Sequence, residues 1–228
     1  PLWAGTAVLG AIVGTTLGQH DAWLVAAGMI AIIFLVPILI GAESLLNASQ
    51  PEVAARTTVN ISAPPQVVWN HVVEFPDIPP PKNWVFRTGV AYPIGASIEG
   101  RGAGAIRRCR FSTGDFVEPI TTWDSPHLLA FDVSECPIPM KELSFYEHVH
   151  PPHLDGSFVS TSGQFKLRQL EDGRTELEGT TWYRHEMRPS WYWNLWTDFA
   201  IHTIHLRVLE HVKLHAESSY LHSELPPP

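Results

Sequence analysis

Residues 2–41 contain no lysine or arginine, and the whole chain has only 15 of them against 23 acidic residues. A formal charge of -8 excludes a surface built to neutralise phosphates, so no nucleic acid partner is expected. Cysteine is scarce as well. Cys109 and Cys136 cannot make a disulfide framework or a four-cysteine zinc site, and they read as two buried thiols. Charged residues make up 17% of the chain and hydrophobic ones 45%, which excludes disorder and is apolar-rich for a purely soluble protein. A phosphate-cradling glycine loop is also missing. "GRGAGAIRR", with Gly100, Gly102 and Gly104, lies between strand patterns rather than ahead of a helix, so it reads as a sheet bend, and no cofactor is expected.

What fills the uncharged stretch is apolar. "AWLVAAGMIAIIFLVPILIG", residues 22–41, supplies the roughly 20 residues a helix needs to cross about 30 Å of hydrocarbon, and Pro37 within it is tolerated in lipid. It lacks the basic flank of a signal peptide and is longer than the apolar segment of one. The preceding run, "LWAGTAVLGAIVGTTLG", spaces Gly10, Gly14 and Gly18 four residues apart, the pattern that lets helix backbones approach closely in lipid. The chain begins at Pro1 rather than Met, and this first run reads as a segment completed upstream. Together the two runs predict a transmembrane helical hairpin over 1–42, with a tight turn at residues 19–21. Its nearest positive charges, Arg56, Lys82 and Arg87, place the following domain on the cytoplasmic side of an integral membrane protein.

After a polar linker over 43–55 the pattern changes. "RTTVNIS" alternates as a strand should, and "APPQVVWNHVVEF" places Val67, Val68, Val72 and Phe75 at helical spacing after its prolines. Further strands are predicted over 96–100, 105–112, 116–123, 128–135, 158–170 and 174–187, the last two joined by the Asp-Gly turn of "EDGR". From residue 190 about 28 residues without Pro or Gly predict a long final helix with Ile201, Ile204, Val208 and Val212 on one stripe. The soluble domain is expected over 56–217, with a tail over 218–228. The fold class is α+β, a curved antiparallel sheet wrapped around the long C-terminal helix.

This order of elements, with "TTVNISAPPQVVWNHVVEFP", "GAGAIRRCRFSTGDF", "ITTWDSPHLLAFDV" and "LEGTTWY", resembles the START-like (SRPBCC) superfamily over about residues 57–216. The resemblance implies the helix-grip fold and a pocket for a hydrophobic or amphipathic molecule. By the same resemblance to its polyketide cyclases, Arg107, Cys109, Tyr183 or Asp198 could orient a reactive chain. The N-terminal membrane segment departs from most members.

Alternation places Arg107, Cys109 and Phe111 on one strand face and Arg108 and Arg110 on the other. It also pairs Phe131 with Val133, and Phe165 with Leu167. An inward arginine needs an acidic partner such as Glu178, or an anionic ligand group. Asp198, His202 and His205 sit at i, i+4 and i+7, and "EHVHPPH" holds His148, His150 and His153. Neither set matches a zinc motif, and no metal is expected. His211 and His215 read as solvent-facing.

Residues 181–196, "TWYRHEMRPSWYWNLW", hold four of nine tryptophans. With Arg184, His185 and Arg188 between them, Trp182, Trp191 and Trp196 suit a membrane interface. The expected ligand-binding set is Arg107, Cys109, Phe131, Phe165, Tyr183, Trp193, Ile204 and Val208. The reading is a membrane-anchored, non-catalytic binder of a lipid-like molecule, with membrane lipid as its partner. The competing reading is an accessory subunit of a larger membrane complex, its glycine-striped hairpin packed on other transmembrane subunits.

Overall fold

The computed structural model describes residues 19–45, 51–141 and 156–224, and the chain divides into two compact units between Ser49 and Gln50. In the first unit, helix α1 (Gln19–Leu45) runs for 27 residues, with Pro37 inside it. Its segment Trp23–Leu45 is long and apolar enough to cross a membrane. Apolar residues occupy every face of it. The turn expected at residues 19–21 is the first turn of α1 instead. "QHD" contains no glycine or proline to break a helix. Gly10, Gly14 and Gly18 and the first half of the expected hairpin lie outside the described residues, as do His148, His150 and His153.

The second unit is a seven-stranded antiparallel sheet with helices on its concave side. Its strands are β1 (Val53–Ile61), β2 (Pro93–Glu99), β3 (Ile106–Phe111), β4 (Gly114–Asp124), β5 (Leu128–Asp132), β6 (Phe158–Gln169) and β7 (Thr175–His185). The order across the sheet is β1-β7-β6-β5-β4-β3-β2. Register shifts at Pro93/Gly95, Ile120/Thr122 and Ser160/Ser162 add the extra residues that bend a sheet. Helix α2 (Pro65–Val73) begins at the prolines, α3 (Trp84–Arg87) interrupts the Pro-rich loop, and α4 (Ser190–Glu224) runs for 35 residues. The glycines of "GRGAG" take positive φ at Gly100, Gly102 and Gly104, so this stretch is a bend, as its position between strands implied.

Packing follows the sequence patterns. β1 buries Ala55, Thr57, Val59 and Ile61 in strict alternation. The inner stripe of α4 buries Ile201, Val208, Leu209, Val212 and Ala216 among side chains from the sheet and α2. Arg207 fastens the opposite edge. Its Nε donates to the Pro93 carbonyl at 3.0 Å and one terminal nitrogen to Pro79 at 2.8 Å, and its guanidinium lies 5.3 Å from the Tyr92 ring. α4 is therefore held along its length against a sheet that curls around it.

Candidate functional site

Between the sheet and α4 the side chains do not close completely. A cavity of about 130 Å³ remains, lined by Arg107, Cys109, Phe131, Phe165, Ile204, His205 and Val208 among others. Six of the eight expected ligand residues are in this lining: Arg107, Cys109, Phe131, Phe165, Ile204 and Val208. The other two are elsewhere. Tyr183 is fully buried beyond the cavity, stacked on Phe158 at 5.3 Å, and its hydroxyl lies 3.2 Å from Thr197 Oγ1. Trp193 is half-buried and donates from Nε1 to the Arg188 carbonyl at 3.2 Å. It lines a separate groove of about 350 Å³ with Trp84, Trp196 and Phe199.

Arg107 is the centre of the site and is 1% exposed. Its guanidinium carbon lies 5.7 Å from the Phe75 ring, 5.7 Å from Phe131 and 5.5 Å from Phe165, an aromatic cage for a cation. Nε donates to the Val73 carbonyl at 3.1 Å, and one terminal nitrogen donates to Glu118. The acidic partner is therefore Glu118, directly opposite on β4, and not the expected Glu178. Glu178 on β7 is half-buried and accepts instead from Thr180 Oγ1 at 3.2 Å.

Electrostatics then define the site's chemistry. Burial pushes the Glu118 carboxyl up, against the pull of the Arg107 guanidinium hydrogen-bonded to it, and paired as guanidinium and carboxylate the two charges compensate each other. The pair is neutral as a whole. Burial and then Glu118 push the Cys109 thiol up to about 12, against the pull of Arg107, so Cys109 is a protonated thiol and no nucleophile. Cys136, expected buried, is half-buried, because it sits in the irregular segment after β5 rather than on an inward strand face.

A polar track enters from the opposite wall. Thr57 Oγ1 lies 2.6 Å from His202 Nδ1 and 3.0 Å from His205 Nδ1, while His205 Nε2 lies 2.8 Å from Thr181 Oγ1. His202 Nε2 faces Asp198 Oδ2 at 3.5 Å. All four ring nitrogens already have partners, and among the described residues no group of His, Cys, Asp or Glu is arranged to hold a metal. Burial, then the neighbouring His202, lowers His205 to about 4, so its imidazole is neutral.

The aromatic cluster splits. Trp84 is 60% exposed, Trp191 62% and Trp196 49%, and Tyr192 and Phe199 join them in a chain of ring contacts of 6.0–6.4 Å. Trp182 is half-buried on the other face of β7, because alternation sends Tyr183 inward and Trp182 outward. His185, expected among the interfacial residues, is buried with Nε2 2.6 Å from Asn194 Oδ1. His211, expected in solvent, is also buried, in contact with Phe75 and His215.

Residues 52–190 match the model of the family described as Polyketide cyclase / dehydrase and lipid transport. Among solved structures, a protein from Nitrosospira multiformis is similar at 17% identity and TM-score 0.43, covering 74% of this chain and 98% of its own. The di-domain ARO/CYC BexL from the BE-7585A biosynthetic pathway is similar at 14% identity and TM-score 0.47, over 90% of this chain and 61% of that one. Protein MLL2253 from Mesorhizobium loti is similar at 11% identity and TM-score 0.44, over 73% and 98%. No curated protein matches in sequence.

Proposed function

We propose that this chain, which belongs to the polyketide cyclase / dehydrase and lipid transport family, is a membrane-tethered domain that binds a neutral, ring-bearing apolar or amphipathic molecule against Arg107. The observation that carries this reading is the Arg107–Glu118 pair inside an aromatic wall. The cation is already neutralised, so an anionic group would bring an uncompensated charge into an apolar cavity. A volume of about 130 Å³ is close to that of an engineered apolar cavity that admits benzene, so the part of the ligand held here is the size of one ring.

The exposed aromatics support a lipid surface as the partner of the domain's end. β1 begins at Val53, opposite Tyr183, at the end of the sheet from which α4 starts. Trp84, Trp191 and Trp196 are exposed there, and α3, which carries Trp84, is preceded by Lys82 and ends in Arg87. Indole rings with neighbouring basic groups suit the headgroup region.

Titration of the full-length protein with p-toluamide and with p-toluate, neutral and anionic rings of equal size, tests the ligand class. The reading expects p-toluamide to bind at least about tenfold more tightly, the factor that corresponds to 1.4 kcal/mol. Equal or tighter binding of the carboxylate would overturn it.

A further inference from the structure

Two sets of aromatic rings in the second unit each hold a cation of the chain. Arg107 lies 5.7 Å from Phe75, 5.7 Å from Phe131 and 5.5 Å from Phe165, and Arg207 lies 5.9 Å from Phe86 and 5.3 Å from Tyr92. A third set, Trp84, Tyr192, Trp196 and Phe199, lines the groove of about 350 Å³ between α3 and the start of α4. Trp84 and Phe199 stand 6.3 Å apart and 31° from parallel, while Trp196 is turned 83° from Phe199 and 66° from Tyr192, so ring faces are presented from more than one direction. No charged residue lines this groove. Among the described residues, no lysine or arginine lies over its four rings.

We infer that this groove, on the outside of the domain and apart from the Arg107 cavity, binds the trimethylammonium group of a phosphatidylcholine headgroup. The inference rests on the interfacial reading of the exposed rings and goes beyond it by naming the group they select. Ring faces of Trp, Tyr and Phe attract a cation electrostatically, and several faces around one groove act on the same charge. A primary ammonium brings three N–H donors that need acceptors. The side chains lining the groove offer only the hydroxyls of Thr88 and Tyr192, and the first already donates to the Val85 carbonyl at 2.6 Å. A quaternary ammonium has no N–H to satisfy, so rings alone suffice. Size agrees as well: the three methyls, the nitrogen and the first methylene are fewer heavy atoms than benzene, which occupies a cavity of about 150 Å³. The phosphate that follows the ammonium favours the lipid over free choline, because α3, which supplies Trp84, is preceded by Lys82 and ends in Arg87, both exposed. The chain also carries a helix long and apolar enough to cross a membrane.

The test uses the full-length protein in maltoside detergent, titrated by calorimetry with dihexanoyl phosphatidylcholine, dihexanoyl phosphatidylethanolamine, choline, and 3,3-dimethylbutan-1-ol, the uncharged isostere of choline. The phosphatidylcholine should bind at least about fivefold more tightly than the phosphatidylethanolamine or free choline, and choline at least about threefold more tightly than its isostere. Trp84→Leu with Trp196→Leu keeps apolar surface but removes two ring faces. These preferences should then disappear at an unchanged melting temperature, and Trp84→Tyr with Trp196→Tyr should restore part of them. Equal binding of the two lipids, lost equally in the leucine variant, would overturn the headgroup site and leave the interfacial reading standing. Lipid binding indifferent to the leucine variant would overturn both. Choline as tight as phosphatidylcholine would overturn the lipid as occupant, and an isostere as tight as choline would overturn recognition of the cation.

Discussion

Phe131 on β5 lies directly opposite Gly163 on β6, and a Cβ built on Gly163 would stand 2.6 Å from the edge of the Phe131 ring. The missing side chain is what lets the ring lie flat across the sheet and face Arg107. Alanine normally improves a strand over glycine by roughly 0.5–1 kcal/mol, whereas forcing a carbon into a packed ring costs about 1–3 kcal/mol. Gly163→Ala should therefore lower stability in a denaturant titration, and an unchanged or raised midpoint would show that the ring moves freely.

Gly179 gives the opposite expectation. It lines the cavity, and an added Cβ would meet Leu209 at 3.6 Å, an ordinary contact. Gly179→Ala should hold or raise the melting temperature, whereas Gly179→Leu should fill the cavity. The measurement is thermal melting with and without p-cresol. A cresol-induced rise in the parent and none in Gly179→Leu is the expected pair of results.

The ion pair yields a double-mutant cycle. Removing one partner, as in Arg107→Met, leaves Glu118 buried and unpaired and should cost about 3–5 kcal/mol. Replacing both, as Arg107→Met with Glu118→Leu, should recover most of that stability. Chemical denaturation of the two single variants, Arg107→Met and Glu118→Leu, and of the double one measures the coupling. If the double variant is as unstable as the single one, the pair is holding the fold rather than shaping the site.

Stability should fall in mild acid. Burial lowers His205 to about 4, and burial with the neighbouring His215 lowers His71 and His211. Each group contributes stability that is fully present above its unfolded value of 6.5 and is lost as pH falls toward the folded value. For His205 alone the loss between pH 6.5 and 4 is on the order of 3 kcal/mol. A melting series over that range checks the sign, and His205→Gln should flatten it.

At the aromatic end, Trp191→Ala and Trp196→Ala should weaken co-sedimentation of the protein's soluble region with phospholipid vesicles while leaving its melting curve nearly unchanged. Trp193, half-buried and hydrogen-bonded to Arg188, should instead lower the melting temperature when replaced. Vesicle binding that survives loss of both exposed rings would contradict the interfacial reading.

Much of this fold is visible in local sequence. Alternation in "RTTVNIS", the Asp-Gly turn and the unbroken final helix each lie within a few residues, and the structure places them within three residues of the expected strand boundaries. The C-terminal end differs more: α4 continues to Glu224, into the tail expected over 218–228. The partner of Arg107 was also within reach. The two-residue turn at Ser112 and Thr113 makes Phe111 face Gly114, and counting back from there pairs Arg107 with Glu118. What sequence could not supply is contact across distance. Thr57 meets His202 and His205 across 145 and 148 positions, and no periodicity links them. The short helix α3 was hidden in a run of prolines, although Asn83 accepts from the Val85 backbone as a helix cap should. Tyr183, in the expected ligand-binding set, does face inward from β7, but facing inward does not decide whether a residue meets a cavity or other side chains.

The central claim is that the Arg107 cavity holds a neutral ring-sized group in the working protein. Native mass spectrometry of the full-length chain, purified from its own membrane and compared with Gly179→Leu, addresses it most directly. The account predicts that the parent carries an extractable neutral apolar compound and that the equally folded variant carries none. An empty parent, or the same compound at the same occupancy in both, would contradict it.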